Sequence, residues 1–374
     1  MTQPISPSLS SVEHNFYCLL LGGTFGCQTP LRPLSQWKWE HLWQMALVHG
    51  VGSLINDGMA TYHGDFFLQI PHPLSEQCLS ITKATERNNE QTTATLARLF
   101  NLFNSHRLRP ILFKGQQFAS YYPHPLHRNC GDIDIFFPFT PLAEKANELA
   151  ASLTKMGTNK EKDCIYYQID GVNIEHITGF KWFTNPILNR QLQQIVDKEI
   201  RCCDSKYTVI QDVKVECFPT TLNLLLQLAR ISHYILNEGI SIKQLLDLAL
   251  FLREEGEHVE VLKLQGWLKR LHMRTMASVI GELLVQLFQF QPNELPFVSR
   301  WHINIDRIKK EIFMKRDMSE WYFTQGKDIF VKTSNSNAML FQMRHVVNYF
   351  RFYPHEMFTN FFASFAHGLS HIEE

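Results

Sequence analysis

Strand-forming stretches in this chain of 374 residues are confined to its middle, between Arg109 and Pro219. The segments on either side place apolar residues at helical spacing instead. The candidate strands are PILF (110–113), GDIDIFF (131–137), CIYYQID (164–170) and VNIEHIT (172–178). Because separate blocks of helices and strands are typical of α+β proteins, the sequence predicts a small mixed β-sheet core flanked by N- and C-terminal helical regions.

Local signals predict where several of these elements begin and end. Residues 1–35 are rich in Ser, Pro and Gly and predict a partly irregular segment, whereas 74–106 contains neither Gly nor Pro and predicts one long helix. The Asp170-Gly171 step predicts a hairpin turn, since both residues tolerate positive φ. Beyond the strands, threonines are expected to cap one helix, and SIKQ (241–244) is a capping-box pattern for the next.

A chain of this length exceeds what one compact core usually holds, so we expect several domains. The predicted division is an N-terminal helical region (1–106), an α/β core (107–218) and a C-terminal helical domain (219–374).

Composition and charge favour a cytoplasmic protein without a membrane partner. The chain has 36 basic and 36 acidic residues, so it carries no global field that attracts nucleic acid or an anionic membrane. No apolar run approaches the roughly 18 residues of a membrane span. The eight cysteines show no CxxC spacing, which predicts reduced thiols rather than a disulfide framework or a zinc site. Motifs of P-loop proteins, serine hydrolases and zinc hydrolases are absent.

Two acids alternate with isoleucines in GDIDIFF. Residues i and i+2 of a strand share one face, so Asp132 and Asp134 are expected to project together. By the same rule Glu175 of VNIEHIT joins them if the two strands are neighbours. His176 then faces the other side, where a core histidine is expected.

Three carboxylates held close together repel one another, and burying them unpaired is costly. A divalent cation relieves both problems. Mg²⁺ suits hard oxygen ligands and binds through carboxylates, waters and the phosphates of a substrate. The alternative is that Asp132 and Asp134 are strand-end residues satisfied by backbone N–H groups or by Arg128.

Basic and flexible residues around the acids suggest a phosphate site. Gly115 ends a strand before a predicted short helix (116–122), and its missing side chain lets the backbone approach a phosphate. Lys114 adds positive charge, and Arg128 could bind phosphate oxygens through its guanidinium. The alternatives are a solvated turn lysine and an arginine paired with an aspartate.

The stretch FKGQQFASYYPHPLHRNCGDIDIFF (113–137) resembles the signature of the uncharacterised bacterial nucleotidyltransferase family, within the polymerase beta-type nucleotidyltransferase superfamily. The stretches WEHLWQMALVHGVGSLI, VNIEHI and NEGISIKQLLDLALFL are also similar to that family, and together the likeness covers about residues 36–255. It implies that the α/β core is nucleotidyltransferase-like.

The resemblance implies a catalytic metal site with Mg²⁺ as the cofactor. Its ligands would be Asp132 and Asp134, with Glu175 as third ligand or as the base for an acceptor hydroxyl. It also implies a set of residues that contact a nucleoside triphosphate (NTP), namely Lys114, Gly115, Arg128, Lys243 and Asp247. From the residues alone, Lys243 and Asp247 are only an i,i+4 pair, for which a plain surface ion pair is the alternative.

The implied function is Mg²⁺-dependent transfer of a nucleoside monophosphate (NMP) group from an NTP to a hydroxyl of a small molecule, a protein or RNA. The neutral charge argues against a large RNA, including the tRNA of a toxin-like enzyme. Lys114-Gly115 stands where the superfamily usually has Gly-Gly or Gly-Ser. The alternative is therefore an inactive nucleotidyltransferase-like scaffold that binds a nucleotide or, through its aromatic C-terminal region, a partner protein.

Overall fold

The computed structural model describes residues 9–159, 164–300, 302–313 and 346–370. Within these ranges the helices, numbered in chain order, are α1 (Ser11–Phe25), α2 (Gln36–Val48), α3 (Gly52–Thr61), α4 (His72–Ser105), α5 (Gln116–Ala119), α6 (Thr140–Leu153), α7 (Pro186–Cys202), α8 (Thr220–His233), α9 (Ile242–Glu255), α10 (Val261–Arg270), α11 (Arg274–Phe288), α12 (Asp306–Phe313) and α13 (Pro354–Ser370).

The strands form one mixed sheet in the order β3-β4-β5-β2-β1-β7-β6. Their bounds are β1 (Ile111–Phe113), β2 (Asp132–Phe136), β3 (Met156–Asn159), β4 (Cys164–Ile169), β5 (Val172–Ile177), β6 (Lys206–Ile210) and β7 (Val213–Cys217). β2 runs parallel to β5 and β1 parallel to β7, while the other neighbours are antiparallel. The predicted α+β class is confirmed.

The two faces of the sheet pack against different helices. Ile133 and Ile135 of β2 join a core formed with apolar residues of α4 and α6. Phe113 and Phe136 join a second core that contains residues of α1 to α3 and of α8 to α11. Because side chains alternate along a strand, the aspartates of β2 lie on the face of Phe136, which the N- and C-terminal helices cover.

Several predicted boundaries are confirmed. The long helix expected over 74–106 is α4, and the Asp170-Gly171 turn has φ angles of 51° and 77°. At the start of α9, the Ser241 backbone N–H donates to Gln244 Oε1 at 2.8 Å. The three-domain division stays a prediction.

One local prediction was incomplete and one was wrong. The segment expected to be partly irregular has neither helix nor strand over 26–35, but it also contains α1, whose start is stabilised by a capping box between Ser10 and Glu13. The threonine cap expected for α8 is absent, since its N-cap is Pro219, and Thr220 Oγ1 instead donates to Glu255 at 3.3 Å. The threonine hydroxyl thus joins the start of α8 to the end of α9.

All eight cysteines lie in the described ranges, and none forms a disulfide, as predicted. In the part of the chain that the structure covers, no helix combines the length and the apolar character needed to cross a membrane. Cytoplasmic localisation stays a prediction.

An ionised histidine joins the loop before β2 to two helices. His127 Nδ1 donates to Asp57 Oδ2 of α3 at 2.8 Å, and its Nε2 donates to Glu86 Oε1 of α4 at 2.9 Å. These hydrogen bonds raise the pKa of His127 from 6.5 to about 9, and the bond with Asp57 has the largest effect. The cluster therefore anchors the loop most firmly when His127 is protonated.

This cluster predicts a pH dependence of stability. A raised pKa stabilises the fold fully below pH 6.5, and that contribution is lost as the pH rises through about 9. We expect the urea unfolding midpoint to fall over this range in the wild type and to fall less in His127→Gln. Parallel pH profiles for the two proteins would contradict the prediction.

Candidate metal centre

The acids predicted from the alternating pattern come together on one face of the sheet. The parallel register of β2 and β5 places Asp134 directly beside Glu175, and Asp132 lies two residues earlier on the same face of β2. One carboxylate oxygen from each of the three residues lies within 4.8 Å of the others. Asp134 is 1% exposed, whereas Asp132 and Glu175 are half-buried. The cluster therefore opens to solvent on the side of the latter two.

The turn after β1 points a lysine at this cluster. Lys114 and Gly115 both have positive φ, at 54° and 53°. Lys114 Nζ lies 3.3 Å from Asp132 Oδ2 and 3.0 Å from Asp134 Oδ2, so it is an ion-paired residue and not a solvated turn lysine. Gly115 has ψ of −123°, and an added Cβ would meet the Asp132 carbonyl oxygen at 3.3 Å. Glycine is required there on both counts.

Burial and mutual repulsion set the charge state of the acids. Burial raises the pKa of Asp134 to about 7, with Lys114 opposing this shift and Asp132 and Glu175 adding to it. Burial also acts to raise the pKa of Asp132, but Lys114, Lys243 and Arg230 together outweigh it and hold that pKa below its usual value. The two aspartates therefore have unequal pKa values, and the buried Asp134 is the one whose ionised form a bound cation would stabilise more.

A hard divalent cation fits this cluster. Three carboxylates supply the oxygen ligands that Mg²⁺ prefers. Oδ2 of the buried Asp134 lies 3.0 Å from the Lys114 ammonium, whereas Oδ1 has no hydrogen-bond donor among the described residues. Such an under-satisfied carboxylate is rare in protein interiors and calls for a ligand.

Arg128 forms a buried bidentate pair with Asp247 of α9. Arg128 Nε and Nη2 donate to the two carboxylate oxygens at 2.7 and 2.8 Å, and Tyr122 Oη donates to Oδ1 at 2.8 Å. The arginine is 4% and the aspartate 1% exposed. This is the expected alternative of an arginine paired with an aspartate, although the partner comes from α9 and not from β2.

The plain surface pair considered for Lys243 and Asp247 is wrong, because Asp247 is buried against Arg128. Lys243 Nζ donates instead to the Asn129 carbonyl oxygen at 2.9 Å. Burial and, after it, the charge of Arg128 lower the pKa of Lys243 to about 8. Lys243 lines the same cleft as Asp132 and Glu175.

A buried arginine of α8 was missed from the sequence. Arg230 is 8% exposed, and its Nε has no hydrogen-bond partner within the described ranges. Its charge acts on Lys114 and Asp132 as well as on Lys243 and Asp247, so it lies beside the acids. A signal was present, since Asn223, Gln227 and Arg230 form a polar stripe at i, i+4 and i+7 in a leucine-rich helix.

His176 lies on the opposite face of the sheet from the acids, and the helix predicted after Gly115 is shorter than expected. His176 is 1% exposed, donates from Nδ1 to Asn147 Oδ1 at 2.7 Å and accepts from Tyr167 at 2.7 Å, as expected of a core histidine. Burial lowers its pKa to about 3. The helix expected over 116–122 is only the four-residue α5, in which the Gln116 amide is buried without a described partner.

Comparisons with known proteins give a family. The crystal structure of an antigenic nucleotidyltransferase-like protein from Paracoccidioides brasiliensis is 14% identical, aligns with 53% of this chain and 93% of its own, and has a TM-score of 0.35. The curated proteins contain no match. A family model described as "Uncharacterised nucleotidyltransferase" matches residues 35–289, which is more than half of the chain. The chain therefore belongs to this uncharacterised nucleotidyltransferase family.

Proposed function

We propose that this protein is a Mg²⁺-dependent nucleotidyltransferase that moves an NMP group from an NTP to a hydroxyl acceptor. The observation that carries the proposal is the cluster of Asp132, Asp134 and Glu175, with one oxygen of each within 4.8 Å of the others. Membership of the family supports transfer of a nucleotidyl group. A bound divalent ion would offset the charge of the acids and bind the phosphates of the substrate.

The residues of the cluster take distinct roles in this proposal. Asp132 and Asp134 hold the metal, and Glu175 is either the third ligand or the base. The acceptor oxygen forms a bond to the α-phosphorus while the bond from that phosphorus to the β-bridging oxygen breaks. Pyrophosphate leaves with the electron pair. In the role of base, Glu175 takes the proton of the acceptor hydroxyl; in the role of third ligand, it leaves that proton to solvent.

The triphosphate is expected on the β1 side of the cluster. Lys114 supplies charge there, and Gly115 lets the backbone approach. Arg230 offers a buried guanidinium whose Nε has no hydrogen-bond partner in the part of the chain that the structure describes. Arg128 donates hydrogen bonds to both carboxylate oxygens of Asp247. We therefore propose that this pair positions the loop before β2 and keeps Lys243 at the cleft.

Calorimetric titration of each NTP, with Mg²⁺ and with a chelator, tests the proposal. We expect at least one NTP to bind only in the presence of Mg²⁺ and to release pyrophosphate slowly in the absence of an added acceptor. Failure of every NTP to bind would exclude a working nucleotide site.

The alternative of an inactive scaffold is favoured by one observation. Lys114 already pairs with both aspartates, so the acids have a counter-charge without a metal. This alternative predicts NTP binding without pyrophosphate release in any mixture of candidate acceptors, or no NTP binding at all.

Replacing Arg230 with Met is expected to weaken NTP binding about 10- to 100-fold, since a hydrogen bond to a charged group contributes roughly 1.5–3 kcal/mol. Titration of Mg²⁺ with NTP measures the effect. Arg253→Met is the matched control, because Arg253 lies on α9 and pairs with Glu294 at the surface. Equal NTP affinities of Arg230→Met and the control would remove Arg230 from the site.

A further inference from the structure

The cleft beside the acids continues along β5, β4 and β3 to the edge of the sheet. Its volume is about 740 Å³, and it is lined at one end by Asp132, Glu175 and Lys243. The lining at the other end includes Tyr166 and Asn173, to which the proposed function assigns no role. The volume of the whole cleft leaves room at this second end for a further group of the reactants.

An exposed aromatic ring is fixed at this end. Tyr166 pairs across the strands with Glu175 on one side and with Gly157 on the other, so it shares the face of the acids. The residue is 51% exposed. A Cβ added to Gly157 would lie 2.4 Å from Tyr166 Cζ, so the ring rests directly on the backbone of β3. The glycine thus holds an aromatic surface against the sheet and leaves it open to the cleft.

Two exposed amides lie next to this ring. Gln168 Nε2 donates to Asn173 Oδ1 at 3.3 Å, and Asn173 is the register partner of Asp132. Gln168 Oε1 and Asn173 Nδ2 have no hydrogen-bond partner among the residues described. One acceptor and one donor therefore remain for a ligand beside the aromatic surface.

An aromatic surface combined with amide donors and acceptors is how proteins hold an unpaired nucleobase. We propose that this end of the cleft binds a nucleobase, which stacks on Tyr166 and hydrogen-bonds to Gln168 and Asn173. The proposal deepens the proposed function and rests on it, because the base belongs either to the NTP or to a nucleoside acceptor. Since Tyr166 is the cross-strand neighbour of Glu175, a sugar attached to the stacked base extends toward the acids.

The test is calorimetric titration of three probes: the four unphosphorylated nucleosides, the four NTPs with Mg²⁺, and inorganic triphosphate with Mg²⁺. The proteins are the wild type, Tyr166→Leu, Tyr166→Phe and Tyr207→Leu. Tyr207 is the matched control, because it is 47% exposed on β6, at the opposite edge of the sheet.

We expect Tyr166→Leu to weaken binding of a base-containing probe about 5- to 150-fold, the loss typical of removing one stacking aromatic. Tyr166→Phe and Tyr207→Leu should bind as the wild type does. Inorganic triphosphate should bind all four proteins equally, because it carries no base. Gly157→Ala should weaken the same probe as Tyr166→Leu, since the added methyl group displaces the ring without removing it.

The probes also separate the two sources of the base. Weaker binding of NTP assigns the stacked base to the NTP, whereas weaker binding of a nucleoside with unchanged NTP affinity assigns it to the acceptor. Nucleoside binding that depends on Tyr166 in a protein that binds no NTP would support this site and contradict the proposed function. Equal affinities of wild type and Tyr166→Leu for every nucleoside and NTP would overturn the proposal, as would the absence of binding to the wild type.

Discussion

The rate of nucleotidyl transfer is expected to fall more than about 100-fold in Asp134→Asn. Substitution of residues that only hydrogen-bond to a metal ligand already lowers metal affinity or activity about 10–100-fold, and Asp134 is proposed to be a ligand itself. The variant keeps the shape of the side chain but loses the negative charge that a divalent cation needs. Pyrophosphate release and calorimetric titration of Mg²⁺ with NTP measure the two losses.

The fold should survive this substitution. A buried carboxylate is costly to desolvate, so the neutral amide is expected to leave the urea unfolding midpoint unchanged or higher. Asp170→Asn is the matched control, because Asp170 occupies the exposed turn between β4 and β5, where positive φ suits asparagine. If Asp134→Asn transferred nucleotide at the rate of this control, the acids would be structural residues only.

Asp247→Asn is expected to destabilise the protein by about 3–5 kcal/mol, since removing one partner of a buried pair leaves the other charge uncompensated. Arg128 would remain 4% exposed without its bidentate acceptor. The change should appear as a lower urea unfolding midpoint. By contrast, Arg253→Met breaks a partly exposed pair and should cost at most about 1 kcal/mol.

The double variant Arg128→Met/Asp247→Leu separates the cost of an unpaired charge from the value of the pair. Replacing both charges with apolar groups of similar size often restores stability, so the double variant should unfold at a higher urea concentration than Asp247→Asn. A double variant that is less stable than Asp247→Asn would show that the pair itself stabilises the fold. Its NTP affinity should still fall, because the loop before β2 loses its contact with α9.

The part of the site that lies on strands could be predicted from the sequence. Alternation along β2 and β5 is a local property, so the shared face of Asp132, Asp134 and Glu175 followed from the side-chain period of two. Glu175 comes into range through the parallel pairing of β5 with β2, which is not local and which the sequence could give only as a condition. The ion pair of Lys114 was not foreseen, because the positive φ that directs its side chain is rare for lysine.

The part contributed by distant helices could not be predicted in the same way. The partner of Asp247 lies 119 residues earlier in the chain, and its neighbour on the helix, Lys243, suggested a surface pair instead. Arg230 could be predicted only in part. The polar stripe of α8 was visible in the sequence, but nothing local identified the acids as its neighbours. The capping box that starts α1 was also visible in the sequence, within a segment whose Ser-, Pro- and Gly-rich composition predicted only its irregular part.

The Arg128–Asp247 pair also sets a time at which the protein can become active. At a synthesis rate of about 5–20 residues per second, Asp247 leaves the ribosomal catalytic centre roughly 6–24 seconds after Arg128, 119 residues before it. Between the synthesis of Glu175 and that of Asp247, 72 residues later, all three acids exist while Arg128 lacks its partner, and Arg230 is added only 17 residues before Asp247. A nascent chain therefore carries its acids without the helices that complete the cleft, and we expect NTP to bind only once α9 has been made.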